Sequence, residues 1–350
     1  MYTYQLGVTS TIEKSWGMIM LVSEISALRN YFYPICYSSE LTDKPRHFRV
    51  FSEDYVVFRD KSGNPAALSD RCPHRGGRLS LGWVNDGCVA CPYHGWEYAS
   101  DGRCRVIPSQ DPSIPIPSKA KVDAVHARER HGLVWACVGD PVGDIPYFEE
   151  LESQGYTLIH EMMEVWHASA PRIVDNALDV SHVAWVHRNS IGSNANNHLE
   201  MGEVEREGMN IKFSVTLIAQ VNEMMKSVNG ISGETTRRTT HAELVEPLVF
   251  RGRLEYEQNG LVHVLYKTCT PIDDENTLYC QFIARNDNPK PDKWHAITAI
   301  DRLVQSEDKA LLENIEADFP LGITEEVHTK VDKMTLEYRR VLADLAGASA

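Results

Sequence analysis

Basic residues are scarce in this 350-residue chain: 35 lysines and arginines stand against 49 aspartates and glutamates, a net charge of −14. Such a surface does not displace counterions from a phosphate backbone, which excludes bulk binding to nucleic acid and to an anionic membrane face. Long apolar runs are missing too. The most apolar early stretch, Trp16 to Val22, is far below the roughly 20 residues that span a bilayer. No basic leader precedes it and no small-residue cleavage site follows, so a signal peptide is not expected. There is no low-complexity tract and no internal repeat. Cysteines number only eight. Without a secretion signal they fit reduced thiols in the cytoplasm.

What is present is the composition of an ordinary globular enzyme, 43% hydrophobic and 24% charged. From residue 46 to 140 short β-rich runs alternate with turns at Lys61–Pro65 and Asp101–Gly102, the pattern of a small antiparallel sandwich or barrel. Beyond Glu150 the pattern is mixed. Strand-like runs cover Leu158–Ala168, Met209–Ala219, Leu244–Tyr256, Gly260–Thr270 and Thr277–Asn286. Helical spacing covers Arg172–Val186, Asp292–Glu316 and Glu325–Leu345. The expected fold is α+β. An all-β domain spans residues 46–148, and an α+β domain with an antiparallel sheet flanked by helices spans 149–350. Residues 1–45 form an extension with a helix packed on the second domain.

The stretch from Asp70 to Tyr98 carries Cys72-Pro-His74 and, sixteen residues on, Cys91-Pro-Tyr-His94. Structural zinc knuckles pair Cys-x2–4-Cys halves. Here each half mixes one Cys with one His, and the first has a single intervening residue. That suits a [2Fe–2S] cluster with one iron on two thiolates and the other on two imidazoles. Two neutral imidazoles leave the cluster less negative, so it accepts an electron more readily. Pro73, Gly76, Gly77, Pro92 and Gly95 build tight loops around such a site. The cysteines are expected deep and the histidines toward solvent. A structural zinc knuckle is the alternative.

In CPHRGGRLSLG and CPYHGWEY the chain resembles the two ligand loops of the Rieske non-haem iron oxygenases, in their catalytic α subunit. A Rieske cluster alone also suits a pure electron carrier, and a second metal site separates the two. DNALDVSHVAWVHRN, from Asp175 to Asn189, contains Asp179-x2-His182-x4-His187. Two histidines five apart near a helix end can reach one ion from one side, and with a carboxylate they make the facial triad of non-haem Fe(II) oxygenases. In isolation they read as ordinary histidines.

The resemblance implies the rest. His182 and His187 hold Fe(II) together with Asp308 on the late helix, with Glu307 as the alternative. Each chain carries one [2Fe–2S] cluster, on Cys72, His74, Cys91 and His94, and one mononuclear Fe(II). NAD(P)H electrons arrive through a separate reductase, with or without a ferredoxin. A head-to-tail homotrimer sets one subunit's cluster beside its neighbour's iron, and Asp179 bridges His94 across that interface to His182. Asn176 faces the iron. Arg71, Arg75, Arg78, Arg103 and Arg105 are expected to form the docking face for the reductase. The length resembles the α-only branch, which holds caffeine-, dicamba- and vanillate-type demethylases. The implied reaction is O2-dependent hydroxylation of a small aromatic or N-heterocyclic substrate, with N- or O-demethylation and formaldehyde release. Hydroxylation or dioxygenation of an aromatic or natural product is the alternative, and an electron-transfer protein a more distant one. Ile300, Asp301, Val304 and Gln305 are expected to line the pocket, as are residues of the 190–250 segment, with 193–198 at its entrance.

Overall fold

The structure is a computed structural model that describes residues 19–188, 190–192, 202–322 and 324–347. The expected entrance loop, 193–198, lies outside them. Near the start of the described chain β1 (Ile19–Met20) pairs with β19 (Phe319–Pro320), some three hundred residues on. Three larger antiparallel sheets follow.

The first has six strands: β2 (Tyr33–Tyr37), β3 (Arg46–Val50), β4 (Glu53–Arg59), β5 (Pro65–Ser69), β10 (Ala124–Arg130) and β11 (Leu133–Cys137), in spatial order β2–β11–β10–β5–β4–β3. A smaller sheet of four, β6 (Trp83–Asn85), β7 (Cys88–Ala90), β8 (Glu97–Tyr98) and β9 (Cys104–Val106), is laid out in chain order. The two expected turns join β4 to β5 and β8 to β9. Gly63 and Gly102 supply their positive φ, +82° and +76°.

The third sheet has seven strands: β12 (Thr157–Trp166), β13 (Glu205–Glu207), β14 (Asn210–Gln220), β15 (Thr235–Glu246), β16 (Val249–Tyr256), β17 (Leu261–Pro271) and β18 (Thr277–Arg285), in order β12–β18–β17–β16–β15–β14–β13. Helices α1 (Glu149–Glu152), α2 (Ala170–Leu178), α3 (Val183–Val186), α4 (Glu223–Asn229), α5 (Pro291–Leu312) and α6 (Lys333–Leu345) complete the α+β fold. No helix among the described residues is long and apolar enough to cross a membrane.

The seven-stranded sheet is covered on both faces. On one, Val264, Tyr266, Cys280 and Phe282 pack against Leu133, Trp135 and Cys137 of the first sheet. On the other, Ile159 and Ile283 pack against Ile297 of α5. Period-two alternation along β17 and β18 therefore sorts apolar residues to the first sheet and mixed residues to the helix side. Cys137, Cys269 and Cys280 are buried packing residues. The two sheets are also joined by backbone. Phe51 and Ser52 N–H donate to the Pro271 and Ile272 carbonyls, both at 2.8 Å. Thr270 Oγ1 donates to the Pro34 carbonyl at 2.8 Å.

Several boundaries differ from the sequence reading. Residues 19–45 hold no α-helix, only short 3-10 turns and two strands, and β2 belongs to the first sheet as the edge partner of β11. The run 172–186 is two helices, because Asp179 Oδ1 accepts both the N–H and the hydroxyl of Ser181 at 2.7 Å and takes the backbone out of the helix. The late helix stops at Leu312, where the Asn314 amide donates to the Ala310 carbonyl at 2.8 Å. The last helix begins at Lys333 rather than 325. Glu326 ahead of it is held by Arg172 at 2.8 Å and Arg339 at 2.7 Å. The run 244–256 is two strands with a turn after Glu246, and the polar segment from Thr235 extends the first of them.

Candidate metal centres

The two cysteine loops are built alike. Gly76 N–H donates to the Cys72 carbonyl at 2.8 Å, and Gly95 N–H to that of Cys91 at 2.9 Å. Cys72 N–H in turn donates to Gly77 O at 2.9 Å, and Cys91 N–H to Trp96 O at 2.8 Å. In both loops the fourth residue after Cys has positive φ, +75° at Gly76 and +70° at Gly95, which explains Gly there. The sheet of β6–β9 brings the loops face to face. Cys72 and Cys91 are buried; His74 is half-buried and His94 exposed. The imidazoles of His74 and His94 lie with centroids 4.4 Å apart, and Trp96 stacks on His74 at 4.4 Å. Tyr98 Oη is 3.1 Å from Cys72 Sγ.

This donor set fits a Rieske cluster. His74 Nδ1 is buried with no hydrogen-bond partner. A Cβ on Gly77 would come 3.2 Å from Cys91 Sγ, so the glycine keeps space beside that sulfur. Burial pushes the Cys91 thiol up, and Cys72 alongside adds to it. Two adjacent buried thiols and two outward imidazoles are what one two-thiolate iron and one two-imidazole iron require.

Of the five arginines around these loops, three are paired. Arg78 meets Asp54 at 3.3 Å, and Arg103 and Arg105 meet Asp101 at 3.8 and 2.9 Å. Arg71 and Arg75 have no acidic partner among the described residues, and with His74 and Lys121 they line a surface groove.

The second centre sits between the α2–α3 break and α5. One ligand atom each from His182, His187 and Asp308 lies within 4.8 Å of the others. Asp308 Oδ1 is 3.5 Å from His182 Nε2 and 3.2 Å from His187 Nε2, and the aspartate is 2% exposed. That oxygen is buried without a hydrogen-bond partner. Two imidazoles and one carboxylate converging from one side are the donors of a facial-triad iron. Burial tends to raise the Asp308 carboxyl, but His187, Lys267 and His182 hold it below its ordinary value. Burial tends to lower His187, yet Asp308 and Glu307 outweigh this and raise it.

Each imidazole also has an acid behind it. His187 Nδ1 donates to Glu307 Oε2 at 2.9 Å, and Ser190 Oγ donates to the same oxygen at 2.6 Å. Asp179 Oδ2 lies 3.6 Å from His182 Nδ1. Burial tends to raise the Asp179 carboxyl, but His182 and Ser181 bring it below its ordinary value. Asn176 is half-buried on α2, and its side chain makes no hydrogen bond among the described residues. Glu307 is thus behind His187, not between the histidines.

A cavity opens between α4, α5 and the sheet, one helical turn from Asp308. Ile300, Asp301, Val304 and Gln305 line it, as expected from sequence. Arg238 and Asn229 line it from the expected 190–250 segment, which the sequence did not resolve to single residues, and His263 lines it from outside that segment. His263 Nε2 lies 3.3 Å from Asp301 Oδ2. Their signal was weak. Arg238 belongs to a strand too polar to read as one, and a lone histidine in an alternating run reads as packing.

Comparison with known proteins agrees with this geometry. Residues 31–125 match the Rieske [2Fe-2S] domain, and residues 166–348 match the vanillate O-demethylase oxygenase C-terminal domain. The chain is 29% identical to methylxanthine N1-demethylase of Pseudomonas putida over 92% of its own length and 90% of that protein's. It is 33% identical to the oxygenase component of chloroacetanilide N-alkylformylase of Rhizorhabdus wittichii over 48% of this chain and 49% of that one. The solved structure of the P. putida N1-demethylase with caffeine superposes with a TM-score of 0.81 at 28% identity, covering 93% of each chain. Dicamba monooxygenase shares the fold, with a TM-score of 0.79 at 21% identity over 91% of this chain and 98% of that one. The first centre is therefore a Rieske [2Fe–2S] site, and the oxygenase components it resembles pair that cluster with a mononuclear iron. The chain belongs to the Rieske oxygenases, as an oxygenase component of the monooxygenase and demethylase kind with a vanillate O-demethylase-type C-terminal domain.

Proposed function

We propose that this chain is the terminal oxygenase of a multicomponent demethylase that hydroxylates an N- or O-methyl group of a small aromatic or N-heterocyclic substrate. The observation that carries this is the convergence of His182, His187 and Asp308 beside a cavity, in a chain that also has all four cluster ligands. When loaded, the cluster supplies single electrons and the iron supplies O2 activation. The balance is R–X–CH3 + O2 + NAD(P)H + H+ giving R–X–CH2OH, water and NAD(P)+. The hydroxymethyl adduct then collapses to R–XH and formaldehyde.

The chain's own residues have these parts. Cys72, His74, Cys91 and His94 hold the cluster, and His182, His187 and Asp308 hold the iron. Glu307 fixes the His187 ring by accepting a hydrogen bond from its Nδ1–H, a support that orients a metal ligand and raises its basicity. Asp179 stands behind His182 at 3.6 Å from its Nδ1, close enough to act on that ring by charge. In a head-to-tail homotrimer Asp179 also reaches His94 of the next copy, with Asn176 as a neighbouring polar group. Exposed aromatics support such an interface: Trp185, between the two iron histidines, is 59% exposed, and Tyr93, next to His94, is 65% exposed.

Electron entry belongs to residues 46–148 together with β2, and oxidation to residues 149–350. The reductase, or a ferredoxin between it and this chain, docks on the groove of Arg71, Arg75 and Lys121, whose charges lack the internal partners of Arg78, Arg103 and Arg105. None of the eight cysteines is joined in a disulfide, which supports a reducing, cytoplasmic setting.

The test is reconstitution with a surrogate reductase and a panel of N- and O-methyl compounds, scoring formaldehyde against O2 consumed. One formaldehyde per O2 supports the reading. Hydroxylated products that keep their methyl groups would replace it with a C–H hydroxylase.

A further inference from the structure

Most charged groups around the catalytic cavity are answered from within the chain. Arg285 pairs with Asp287 at 2.8 Å and donates to Asn229 Oδ1 at 3.0 Å. Asp301 faces His263 at 3.3 Å. Asp308 faces the two iron histidines. Arg238 is different. It sits in the middle of the sheet on β15, opposite Leu217 of β14 and Tyr256 of β16. Only 8% of it is exposed, and it lines the cavity. Its Nε is buried without a hydrogen-bond partner, and no carboxylate pairs with it among the described residues.

A guanidinium does not lose its proton in a protein, so this charge stays. A buried charge without a partner is strongly unfavourable, and the fold tolerates it only where something else supplies the counter-charge. The planar fork of donors matches a carboxylate. Leu254, Leu265, Ile300 and Val304 give the same cavity an aliphatic surface, alongside the polar His263, Asp301 and Gln305.

We propose that the substrate is a carboxylic acid, anchored through its carboxylate on Arg238, with an apolar or aromatic body along these aliphatic side chains and its methyl-bearing end toward His182, His187 and Asp308. Arg238 is a specificity-determining residue. Caffeine, bound in the similar P. putida demethylase, carries no such group, so the proposal separates this chain from that relative. It rests on the oxygenase reading only for the orientation of the reacting end.

The experiment compares 4-methoxybenzoate with its neutral isostere 4-methoxybenzamide. Binding to the iron-loaded protein is measured by titration calorimetry, for the natural chain, Arg238→Gln and Arg238→Lys. The acid should bind the natural chain at least about tenfold more tightly than the amide, the range of a charge-assisted hydrogen bond. Arg238→Gln should abolish that preference and Arg238→Lys should keep part of it. Equal affinity for acid and amide in the natural chain overturns the proposal, as does an Arg238→Gln protein that prefers the acid undiminished. Iron content and the cluster spectrum report folding. If Arg238→Gln does not fold, the acid–amide ratio in the natural chain and in Arg238→Lys decides. Formaldehyde is scored separately. Arg238-dependent binding of acids, with no formaldehyde from any methylated acid, overturns the demethylase reading and leaves the anchor. Formaldehyde from the amide with the acid ignored overturns the anchor and leaves the demethylase.

Discussion

Two neighbouring acids on α5 divide the work around one imidazole. A helix advances about 100° per residue, so Asp308 and Glu307 reach His187 from different sides. Asp308 approaches Nε2 at 3.2 Å and Glu307 accepts from Nδ1 at 2.9 Å. Asp308→Ala should therefore drop the metal content from about three irons per chain to two while the cluster spectrum persists. Glu307→Gln should keep the triad but weaken it, lowering iron affinity or activity by about 10–100-fold. Full activity and iron retention in Glu307→Gln would show that His187 needs no such support. The sequence placed both acids on the right helix and put Asp308 ahead of Glu307 as the ligand, but it gave Glu307 no part behind His187, because that depends on where α3 ends and how the ring of His187 is turned.

A third carboxyl makes a stability prediction. Burial raises Glu246 from 4.5 to about 8. In the folded chain it stays protonated while the unfolded chain ionises. The unfolded state therefore binds fewer protons across this window, and stability falls as pH rises from about 4.5 to about 8. The slope from this group is at most about 1.4 kcal/mol per pH unit. Glu246→Gln should flatten that part of a thermal-denaturation profile. An unchanged profile would mean the group ionises without cost.

At the scale of elements, both centres are made where regular structure stops. The α2–α3 break exists because Asp179 captures Ser181, and it turns Asp179 toward His182. Asp179→Asn should leave both metals bound and both spectra intact but slow turnover by about 10–100-fold. A slowed single turnover with a pre-reduced cluster is the readout. Helical periodicity through 172–186 hid this break, since the pattern of apolar residues continues across it and only side-chain capture interrupts the backbone.

The cysteine loops were far more legible. Cys, His, Pro and Gly at fixed offsets leave few alternatives, and the paired hydrogen bonds of Gly76 and Gly95 account for that spacing. Gly95→Ala forces an alanine to φ +70°, at a cost of about 1–2 kcal/mol. It should shorten the lifetime of the cluster in air, measured by loss of its visible absorbance, with iron at the second centre retained. Within the 190–250 segment Arg238 could not be singled out, and His263 was missed, because only the register of the folded sheet shows which strand residues face the cavity.

For the whole molecule, the predicted trimer is the largest step. Trp185→Glu puts a charge in place of an exposed aromatic between His182 and His187. It should yield monomers by light scattering that keep their metals but consume little O2, while a monomeric natural chain with full activity would remove the case for intersubunit transfer. Arg71→Glu with Arg75→Glu should slow reduction by the partner and leave the cluster spectrum unchanged. That loss should shrink as ionic strength rises.

The backbone bonds between the first sheet and the third set an order in time. Phe51 and Ser52 hold φ of +49° and +65°, unusual for residues with side chains. Their N–H groups are tied to Pro271 and Ile272. On a ribosome the cysteine loops emerge long before residues 271 and 272 exist, so for most of synthesis the β3–β4 turn has nothing to seat it. A nascent chain stopped at residue 256 should hold its cluster poorly. Iron–sulfur insertion should then be a late event, made durable by the arrival of the second domain, which guards against a cluster being reduced on a chain that has no iron site to use the electron.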